Sequence, residues 1–411
     1  MLSLAWASLR ARAFTVGLVW LALMMSVFLL LVSDRLSRAA QDGFNRSING
    51  VDLIVSTKTG PLETLLYSVF HIGQPLSNLD AKHLEQLNQD PTIDWAIPIA
   101  LGDSHGEFRV LATQAEYFER LRDARNQPMR FAAGQAFNGP TDVVLGAQVA
   151  HQLNYQLGQS IQLSHGSGGL GKAHDDLQFR IVGILAATGT PTDQSLFVSL
   201  EAHSLLHLGW SNGRRIVPLD RLEWDSLPPL DSVTAVFVGL KNPLTLFQTA
   251  RRINNEPNAA MSAVIPGVAL AQLWSIVDRI EAIFSLLGGF IVIMSLLGVL
   301  ALSLTALDAR TREMAILRAC GASPLQLAGL VMAEALWIAL SAAGFAFLLT
   351  HVGSLAMSEW LTREFAITPS HEWWVAREWL LMVTVVGLTL LCSVIPAIRV
   401  FRRSLQSGLN S

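Results

Sequence analysis

The sequence predicts an α-helical membrane protein, a four-span bundle with a large extracytoplasmic mixed α/β domain between spans 1 and 2. The 411 residues are 51% hydrophobic and only 15% charged, and the mean hydropathy is +0.40. The apolar residues are concentrated in runs at 13–33, 282–307, 325–350 and 380–398. A run of about 26 uncharged residues makes ~39 Å of helix, longer than the ~30 Å hydrocarbon core of a bilayer. The long region between the first two runs has the pattern of alternating strands and helices.

Charge and cysteine content argue against two classes of protein. The net charge of −3 gives no support to nucleic-acid binding. The two cysteines are poor disulfide candidates, because Cys320 lies in an Arg-rich hinge and Cys392 lies inside the last apolar run. The region between the first two runs has no cysteine and must therefore fold on its own apolar core.

The first apolar run is expected to stay in the mature protein as a membrane anchor. Its core of about 20 residues exceeds the 7–15 residues of a signal-peptide apolar region. No A-x-A cleavage site follows it. Apolar residues before the run predict a short interfacial helix on the inner leaflet.

Arginines in the short flanks of the apolar runs predict the orientation. With four spans they fall on one side of the membrane: Arg10, Arg12, Arg310, Arg312, Arg318, Arg399, Arg402 and Arg403. Both termini are therefore expected in the cytoplasm. The predicted segments are 1–33 (interfacial helix and first span), 34–266 (extracytoplasmic α/β core domain), 267–309 (stalk and second span), 310–324 (cytoplasmic coupling elbow), 325–350 (third span), 351–377 (short external loop) and 378–411 (fourth span and basic tail).

Strand signals recur through the exported region. VDLIVST, LQFRIVGIL and SVTAVFVGL have strand character, and AIPIAL and EFRVLAT predict a hairpin around GDSHG. One apolar stripe has helical spacing and consists of Leu62, Leu65, Leu66, Val69 and Phe70. Such a stripe is typical of a core-facing helix, and the alternative is an apolar face toward the membrane or a lipid-like substrate.

Sequence motifs do not indicate an active site. Gly166–Lys172 fits the first positions of a phosphate-binding P-loop, but Ala173 stands where a Mg²⁺-binding Ser or Thr is required. No G-x-S-x-G nucleophile setting occurs. We therefore predict no catalytic residues and no cofactor bound by this chain.

Histidines and carboxylates in the exported region are candidate ligands for a metal ion. The candidate ligands are His165, His174, Asp175, His203 and His207. His203 and His207 are four residues apart on a predicted helix, so both rings can share one face. The spacing matches no closed structural-zinc pattern, and ordinary surface histidines are the simpler interpretation.

The Arg-rich hinge is the most specific local signal. Residues 308–319 are predicted to continue as helix, with Gly321 at the position that ends it and Ser323-Pro324 as N-cap and first residue of the next helix. The predicted elbow that couples the chain to an ATPase comprises Arg310, Arg312, Glu313, Arg318, Gly321, Ala322, Ser323 and Pro324. A short turn with little conformational freedom can transmit force from a cytoplasmic partner. The alternative is a plain positive-inside loop.

Small residues in the second span predict a surface for close helix approach. They lie at four-residue spacing, as Ser285 with Gly289 and Ala301 with Thr305. This spacing of small side chains is typical of helix–helix contacts in membranes. We therefore predict a dimer seam there.

The hinge and the layout resemble the permease subunits of MacB/LolC/FtsX-type ABC transporters. The hinge sequence RTREMAILRACGAS (310–323) carries the resemblance, together with DLIV at 52–55, FRIVGIL at 179–185 and TGTPTD at 188–193. The resemblance implies a multi-pass protein of the bacterial inner membrane with a periplasmic domain, working as a dimer, more simply a homodimer than a heterodimer.

The same resemblance implies that this chain is not an enzyme. A separate cytoplasmic ABC ATPase would bind ATP and Mg²⁺, and nucleotide-driven movement would reach the periplasmic domain through the elbow and second span. A periplasmic accessory protein is a further implied partner. Substrates implied for export or extraction are a peptide, a lipid-like molecule, a lipoprotein or a drug.

Two alternative functions stay open at this point. The first is an FtsX-like regulator of an external partner that transports nothing. The second is a metal-handling or metal-sensing module that uses the periplasmic histidines.

Overall fold

The computed structural model describes residues 13–124, 126–166, 177–207, 210–211, 214–215, 230–257, 259–309, 311–365 and 372–409. The chain divides into two compact units. The membrane unit contains Met1–Ala39, Val277–Trp360 and Pro369–Ser411, and the inserted domain contains Ala40–Ile276 and Leu361–Thr368.

The described helices and strands follow one another along the whole chain. The helices are α1 (Ala13–Arg46), α2 (Pro61–Ser68), α3 (Lys82–Asn88), α4 (Glu116–Arg120), α5 (Ala147–Gln152), α6 (Leu200–His207), α7 (Leu246–Asn254), α8 (Pro266–Ala309), α9 (Thr311–Ala319), α10 (Pro324–Phe365) and α11 (Ala376–Leu409). The strands are β1 (Leu53–Thr57), β2 (Leu79–Asp80), β3 (Ile93–His105), β4 (Phe108–Thr113), β5 (Phe131–Gly134), β6 (Asp142–Leu145), β7 (Ser160–Ile161), β8 (Ser164–His165), β9 (Phe179–Leu185), β10 (Ser195–Ser199), β11 (Trp210–Ser211), β12 (Arg214–Arg215), β13 (Ser232–Val233), β14 (Ala235–Leu240) and β15 (Met261–Val264). Short 3₁₀ helices occupy Pro191–Gln194 and Pro243–Thr245.

Within the described residues, α1, α8, α10 and α11 are long and apolar enough to span a membrane. This confirms the predicted four spans around an α/β domain. The helices are longer than the apolar runs that predict them. In particular, α10 ends at Phe365, so it fills much of the 351–377 segment predicted as a short loop. Charged residues mark where an apolar run ends, but they do not break backbone hydrogen bonding, so a helix continues past them.

Small and apolar side chains form the core of the membrane unit. Leu23, Val27 and Leu31 of α1 pack with Ala339, Ala342, Ala343 and Ala346 of α10. Two polar contacts join the helices: Ser26 Oγ lies 3.0 Å from Ser295 Oγ of α8, and Trp20 Nε1 donates to Ser341 Oγ of α10 at 3.0 Å. Small residues permit such close helix approach, and hydroxyl pairs connect helices in an apolar surrounding.

The inserted domain is built on one mixed sheet. Eleven strands of the described chain belong to it, nine of them in the order β15-β1-β14-β3-β4-β10-β6-β9-β5, with β7 beside β9 and β8 beside β3. The β10–β4 and β6–β9 pairs are parallel and the other pairs are antiparallel. The predicted hairpin is confirmed as β3–β4, which turns at Gly106 with φ +60°.

Both faces of the sheet are buried. Along β6, Val144 enters one core cluster, while Val143 and Leu145 enter another. Along β14, Phe237 faces the first cluster, and Val236 and Val238 face a third. Alternate side chains point to opposite faces of a strand, so burial on both faces explains why these strands are continuously apolar.

Candidate functional site

The elbow between α8 and α10 contains a short helix that is closed by backbone hydrogen bonds. Gly321 has φ +94°, the left-handed conformation that glycine adopts readily. The N–H of Ala322 donates to Leu317 O at 3.0 Å, and the N–H of Gly321 donates to Arg318 O at 2.8 Å. These are the two bonds of a Schellman motif. The conformation predicted for Gly321 is therefore present.

The next helix starts with reciprocal caps. The N–H of Gln326 donates to Ser323 Oγ at 3.3 Å, and the N–H of Ser323 donates to Gln326 Oε1 at 2.8 Å. Pro324 is the first residue of α10. A capping box of this kind satisfies two backbone donors at once. The turn is therefore fixed at both of its helix ends.

A small apolar core lies under the elbow. Leu307, Leu327, Val331 and Val400 are buried together, and Met314, Leu317 and Ala322 pack against them. Two other apolar side chains of the elbow are exposed, Ile316 at 57% and Leu325 at 74%, and we call these two residues the outer face of the elbow. The elbow thus combines a packed core with exposed apolar residues.

The charged residues predicted for the elbow are only partly described. Arg310 lies outside the described residues, and the side chains of Arg312 and Glu313 do too. Arg318 is half-buried, and its Nη1 is buried without a hydrogen-bond partner in the described part of the chain.

The predicted dimer seam lies on the outside of α8 in this single chain. Ser285, Ala301 and Thr305 are exposed, and a Cβ added at Gly289 would meet no atom within 4 Å. The neighbouring Gly288 is the glycine that packs within the chain, because a Cβ there would lie 2.5 Å from Leu30 Cδ2. The seam stays a prediction.

The apolar stripe of α2 belongs to the domain core. Leu65, Val69 and Phe70 are buried in the first cluster, with Leu66 packed against them, and Leu62 is half-buried. These side chains cover the sheet beside β1, so they do not form the membrane-facing or substrate-facing surface that the sequence left as an alternative.

The histidine candidates are not brought together as a metal site in the described chain. Asp103 Oδ2 lies 3.4 Å from His203 Nδ1, and His165 pairs with Asp103 through the strand backbone. His207 is the last residue of α6. The described residues contain no group of three or more His, Cys, Asp or Glu side chains able to hold a metal. His174 and Asp175 lie outside them.

A buried ionic network in the membrane unit has no counterpart in the sequence predictions. Arg35 of α1 pairs with Glu378 of α11, at 2.7 Å between Nε and Oε1, and its Nη2 lies 2.8 Å from His351 Nε2 of α10. Arg38 Nη2 donates to Glu378 Oε1 and to Asp34 Oδ2, at 2.7 and 2.6 Å. The signal available was charge inside a long helix, since Asp34, Arg35 and Arg38 follow the first apolar run without a break.

The loop TGTPTD is fixed by its own aspartate. Asp193 Oδ1 accepts hydrogen bonds from the N–H and the Oγ1 of Thr188, both at 2.8 Å, and Asp193 Oδ2 accepts from the N–H of Gly189 at 2.9 Å. Burial raises the pKa of this carboxyl. A Cβ at Gly146 would lie 2.4 Å from Thr192 O, so the loop sits directly on the start of α5. Asp193 therefore has a structural role in this loop.

Four span-forming helices with an α/β domain inserted after the first define a multi-pass membrane protein with a large domain outside the bilayer. Residues 285–405 match the family model for the FtsX-like permease C-terminal region, and residues 13–256 match that for the MacB-like periplasmic core domain. The chain therefore belongs to the MacB/FtsX-type family of ABC transporter permeases.

A solved structure also shows similarity to this chain. The periplasmic region of MacB from Actinobacillus actinomycetemcomitans aligns at 11% identity and a TM-score of 0.34, covering 55% of this chain and 95% of that one. Because the TM-score is below 0.5, the family assignment rests on the two family models. No curated protein matches the chain.

Proposed function

We propose that this permease works by mechanotransmission. A separate cytoplasmic ATPase would bind the elbow and move it. Helix α8 would then transmit this movement to the inserted domain in the periplasm. This proposal rests on the hydrogen bonds at both ends of the elbow turn. They are the Schellman motif at Gly321 and the capping box at Ser323. A turn whose backbone donors and acceptors are already paired has little freedom to absorb an applied force.

The helix that follows the inserted domain supports the same mechanism. It runs from Pro266 to Ala309 as one element of 44 residues. At 1.5 Å per residue this is about 66 Å of continuous helix. Its first residues, Ala269 and Leu270, are buried in the core of the inserted domain. A continuous helix transmits rotation and translation along its axis.

The outer face of the elbow supports contact with another protein. Ile316 and Leu325 are exposed apolar residues, and apolar anchors at the centre of a contact are typical of protein interfaces. Arginine bias in the flanks supports a cytoplasmic position for this face in an inner membrane.

Exposure of the small residues of α8 supports a homodimer.

The test measures ATP hydrolysis by the cognate ATPase with the permease in lipid nanodiscs. Leu325→Glu, and separately Arg312→Glu combined with Arg318→Glu, should abolish stimulation by the permease. Leu244→Glu is the matched control, since Leu244 is 91% exposed in the inserted domain. Normal stimulation in the elbow variants would reject the proposed role of the elbow. ATP-dependent movement without export of any substrate would instead favour a regulator.

A further inference from the structure

One polar network joins all four spanning helices at the end of α1 that leads into the inserted domain. Ser37 Oγ of α1 donates to Glu281 Oε2 of α8 at 2.8 Å. Arg35 of the same helix contacts His351 of α10 and Glu378 of α11. All of these residues belong to the membrane unit. The network therefore holds the four helices together at one depth.

The charges of this network balance when His351 is neutral. In the described part of the chain, its ion pairs involve as many arginines as carboxylates: Arg35, Arg38 and Arg377 with Asp34, Glu281 and Glu378. Glu372 contributes its backbone oxygen to Arg35, while its side chain is exposed. A proton added to His351 would therefore give this group of residues a net positive charge.

Hydrogen bonds assign a neutral imidazole to His351. Its Nδ1 lies 3.3 Å from Phe347 O, and a carbonyl oxygen can only accept, so Nδ1 carries the hydrogen. Arg35 Nη2 lies 2.8 Å from Nε2 and 3.2 Å from Nδ1, and a guanidinium can only donate. Nε2 is therefore the acceptor of the hydrogen bond from Arg35 and carries no proton in this arrangement.

Protonation of Nε2 is incompatible with the contact to Arg35. It would replace an acceptor by a donor that faces another donor, and it would place an imidazolium 2.8 Å from a guanidinium nitrogen. Little water is available to screen these charges, because His351 is 2% exposed and Arg35 is 8% exposed. Neighbouring like charges repel each other strongly at a buried site. A proton on His351 therefore favours an arrangement in which the imidazole has left Arg35.

Aromatic side chains cover the buried imidazole. The rings of Phe347 and Trp373 each have their centroid 4.3 Å from that of His351. Trp373 is 57% exposed, so its indole is a partly exposed cover of the imidazole. A change in the position of this one ring would open His351 to water, which supplies the proton.

We propose that His351 is a proton-binding site that couples pH to the packing of α10 against α1 and α11. In the closed arrangement, His351 has no proton on Nε2 and accepts the hydrogen bond from Arg35. In the open arrangement, a proton from water has formed the N–H bond at Nε2, the hydrogen bond from Arg35 is lost, and α10 has moved away from α1 at this depth. The contact of Ser26 with Ser295 stays, because it joins α1 to α8 at another depth. The inference does not depend on the proposed role of the elbow.

Proton linkage sets the size of the effect. Histidine is the side chain whose charge ordinarily changes between about pH 5 and about pH 8. The imidazole stays neutral in the closed arrangement and titrates as an exposed histidine does in the open one. Acidification from about pH 7.5 to about pH 5 then multiplies the ratio of open to closed chains by about 30. The shift is toward the open arrangement as pH falls, because only this arrangement takes up the proton.

The test measures distances between spin labels by pulsed EPR in the full chain, in lipid nanodiscs at about pH 7.5 and about pH 5. The labelled positions are Leu36→Cys on α1 and Leu355→Cys on α10, which are 46% and 49% exposed in the parent. Both native cysteines are replaced, as Cys320→Ser and Cys392→Ser. Dilution with unlabelled chain limits the measurement to distances within one chain. Acidification should raise the population of a second, longer distance relative to the first by about 30-fold.

Variants of His351 separate this site from other groups that titrate. In His351→Gln, the amide oxygen can accept from Arg35 at any pH, so the second distance should gain no population on acidification. His351→Lys carries a charge at both pH values and should show the second distance at about pH 7.5 as well. His151→Gln, at an exposed position of the inserted domain, is the control and should respond as the parent does.

A second pair of labels tests whether the movement is local to the network. The contact between Ser26 and Ser295 is expected to stay. Their neighbours Met25 and Met294 are 49% and 67% exposed, and labels at Met25→Cys and Met294→Cys should give one distance at both pH values. An unchanged distance in the parent, an equal response in His351→Gln, or an equal change at this second pair would overturn the proposal. If His351→Lys does not fold, the glutamine variant still decides.

Discussion

Arg35 of α1 and Glu378 of α11 form a bidentate ion pair inside the membrane unit, with 2.7 Å between Nε and Oε1 and 3.0 Å between Nη2 and Oε2. Arg35 is 8% exposed and Glu378 is fully buried. The rings of His351 and Trp373 stack beside this pair, with centroids 4.3 Å apart. Arg38 of α1 also donates to this carboxylate. Glu378 therefore connects the last span to the first through two arginines.

Glu378→Gln is expected to destabilise the membrane unit by about 3–5 kcal/mol, because it leaves the buried charge of Arg35 without its counter-ion. The measurement is thermal unfolding of the purified chain in detergent. Glu372→Gln is the matched control, since Glu372 contributes only its backbone oxygen to Arg35 and its side chain is exposed. Equal melting temperatures for the two variants would contradict the prediction.

Gly321→Ala should destabilise the elbow by about 1–2 kcal/mol, because alanine disfavours the left-handed conformation that this position has. Gly329→Ala provides the control, as Gly329 is inside α10 and a Cβ added there would meet no atom within 4 Å. There alanine should be neutral or stabilising. We expect Gly321→Ala, and not Gly329→Ala, to reduce ATPase stimulation. Parallel behaviour of the two variants would show that the turn conformation is unimportant.

The pKa of His71 predicts a pH dependence of stability. Burial and then Arg109 lower this pKa from 6.5 to about 4, so between these values the unfolded chain binds more protons than the folded chain. The free energy of unfolding therefore rises with pH through this window. The contribution of His71 reaches its full value above about pH 6.5. Acidification from about pH 7 to about pH 5 should cost about 2 kcal/mol through this residue.

The measurement compares denaturant unfolding of the full chain at both pH values. His71→Gln should lose this part of the pH dependence, whereas His151→Gln, at an exposed position on α5, should retain it. An unchanged pH dependence in His71→Gln would refute the role of this histidine.

Gly289→Leu should weaken self-association of the chain by about tenfold if the seam on α8 is correct, because a larger side chain prevents close helix approach. Ala301→Leu should act in the same direction. Gly387→Leu is the control, since Gly387 also has no neighbouring atom within 4 Å of an added Cβ but lies on α11. The readout is cross-linking between copies in nanodiscs. Undiminished cross-linking in Gly289→Leu would place the dimer interface elsewhere.

Local sequence signals predicted much of this structure, and long-range contacts explain what they missed. Apolar runs longer than a bilayer predicted the four spans, and Gly321 with Ser323-Pro324 predicted the caps of the elbow. These features depend on residues close in sequence. Arg35 and Glu378 are separated by 343 positions, and they meet only because α1 and α11 pack side by side.

The contact between Ser195 Oγ and His71 Nδ1 was missed for a related reason. His71 and Ser195 are 124 positions apart, and neither stands in a motif with known chemistry. The apolar stripe of α2 shows a different limit of prediction from sequence. Its spacing predicted a helix correctly, but spacing alone does not tell whether the apolar face meets a sheet or a membrane.

The Ser26–Ser295 contact restricts how the first span can move. It lies about 14 Å along α1 from Arg35, so this helix is attached to α8 at one depth and to α11 at another. A piston-like slide of α1 by one helical turn, about 5.4 Å, would break both attachments at once. Tilting of the spans as a group would keep both contacts.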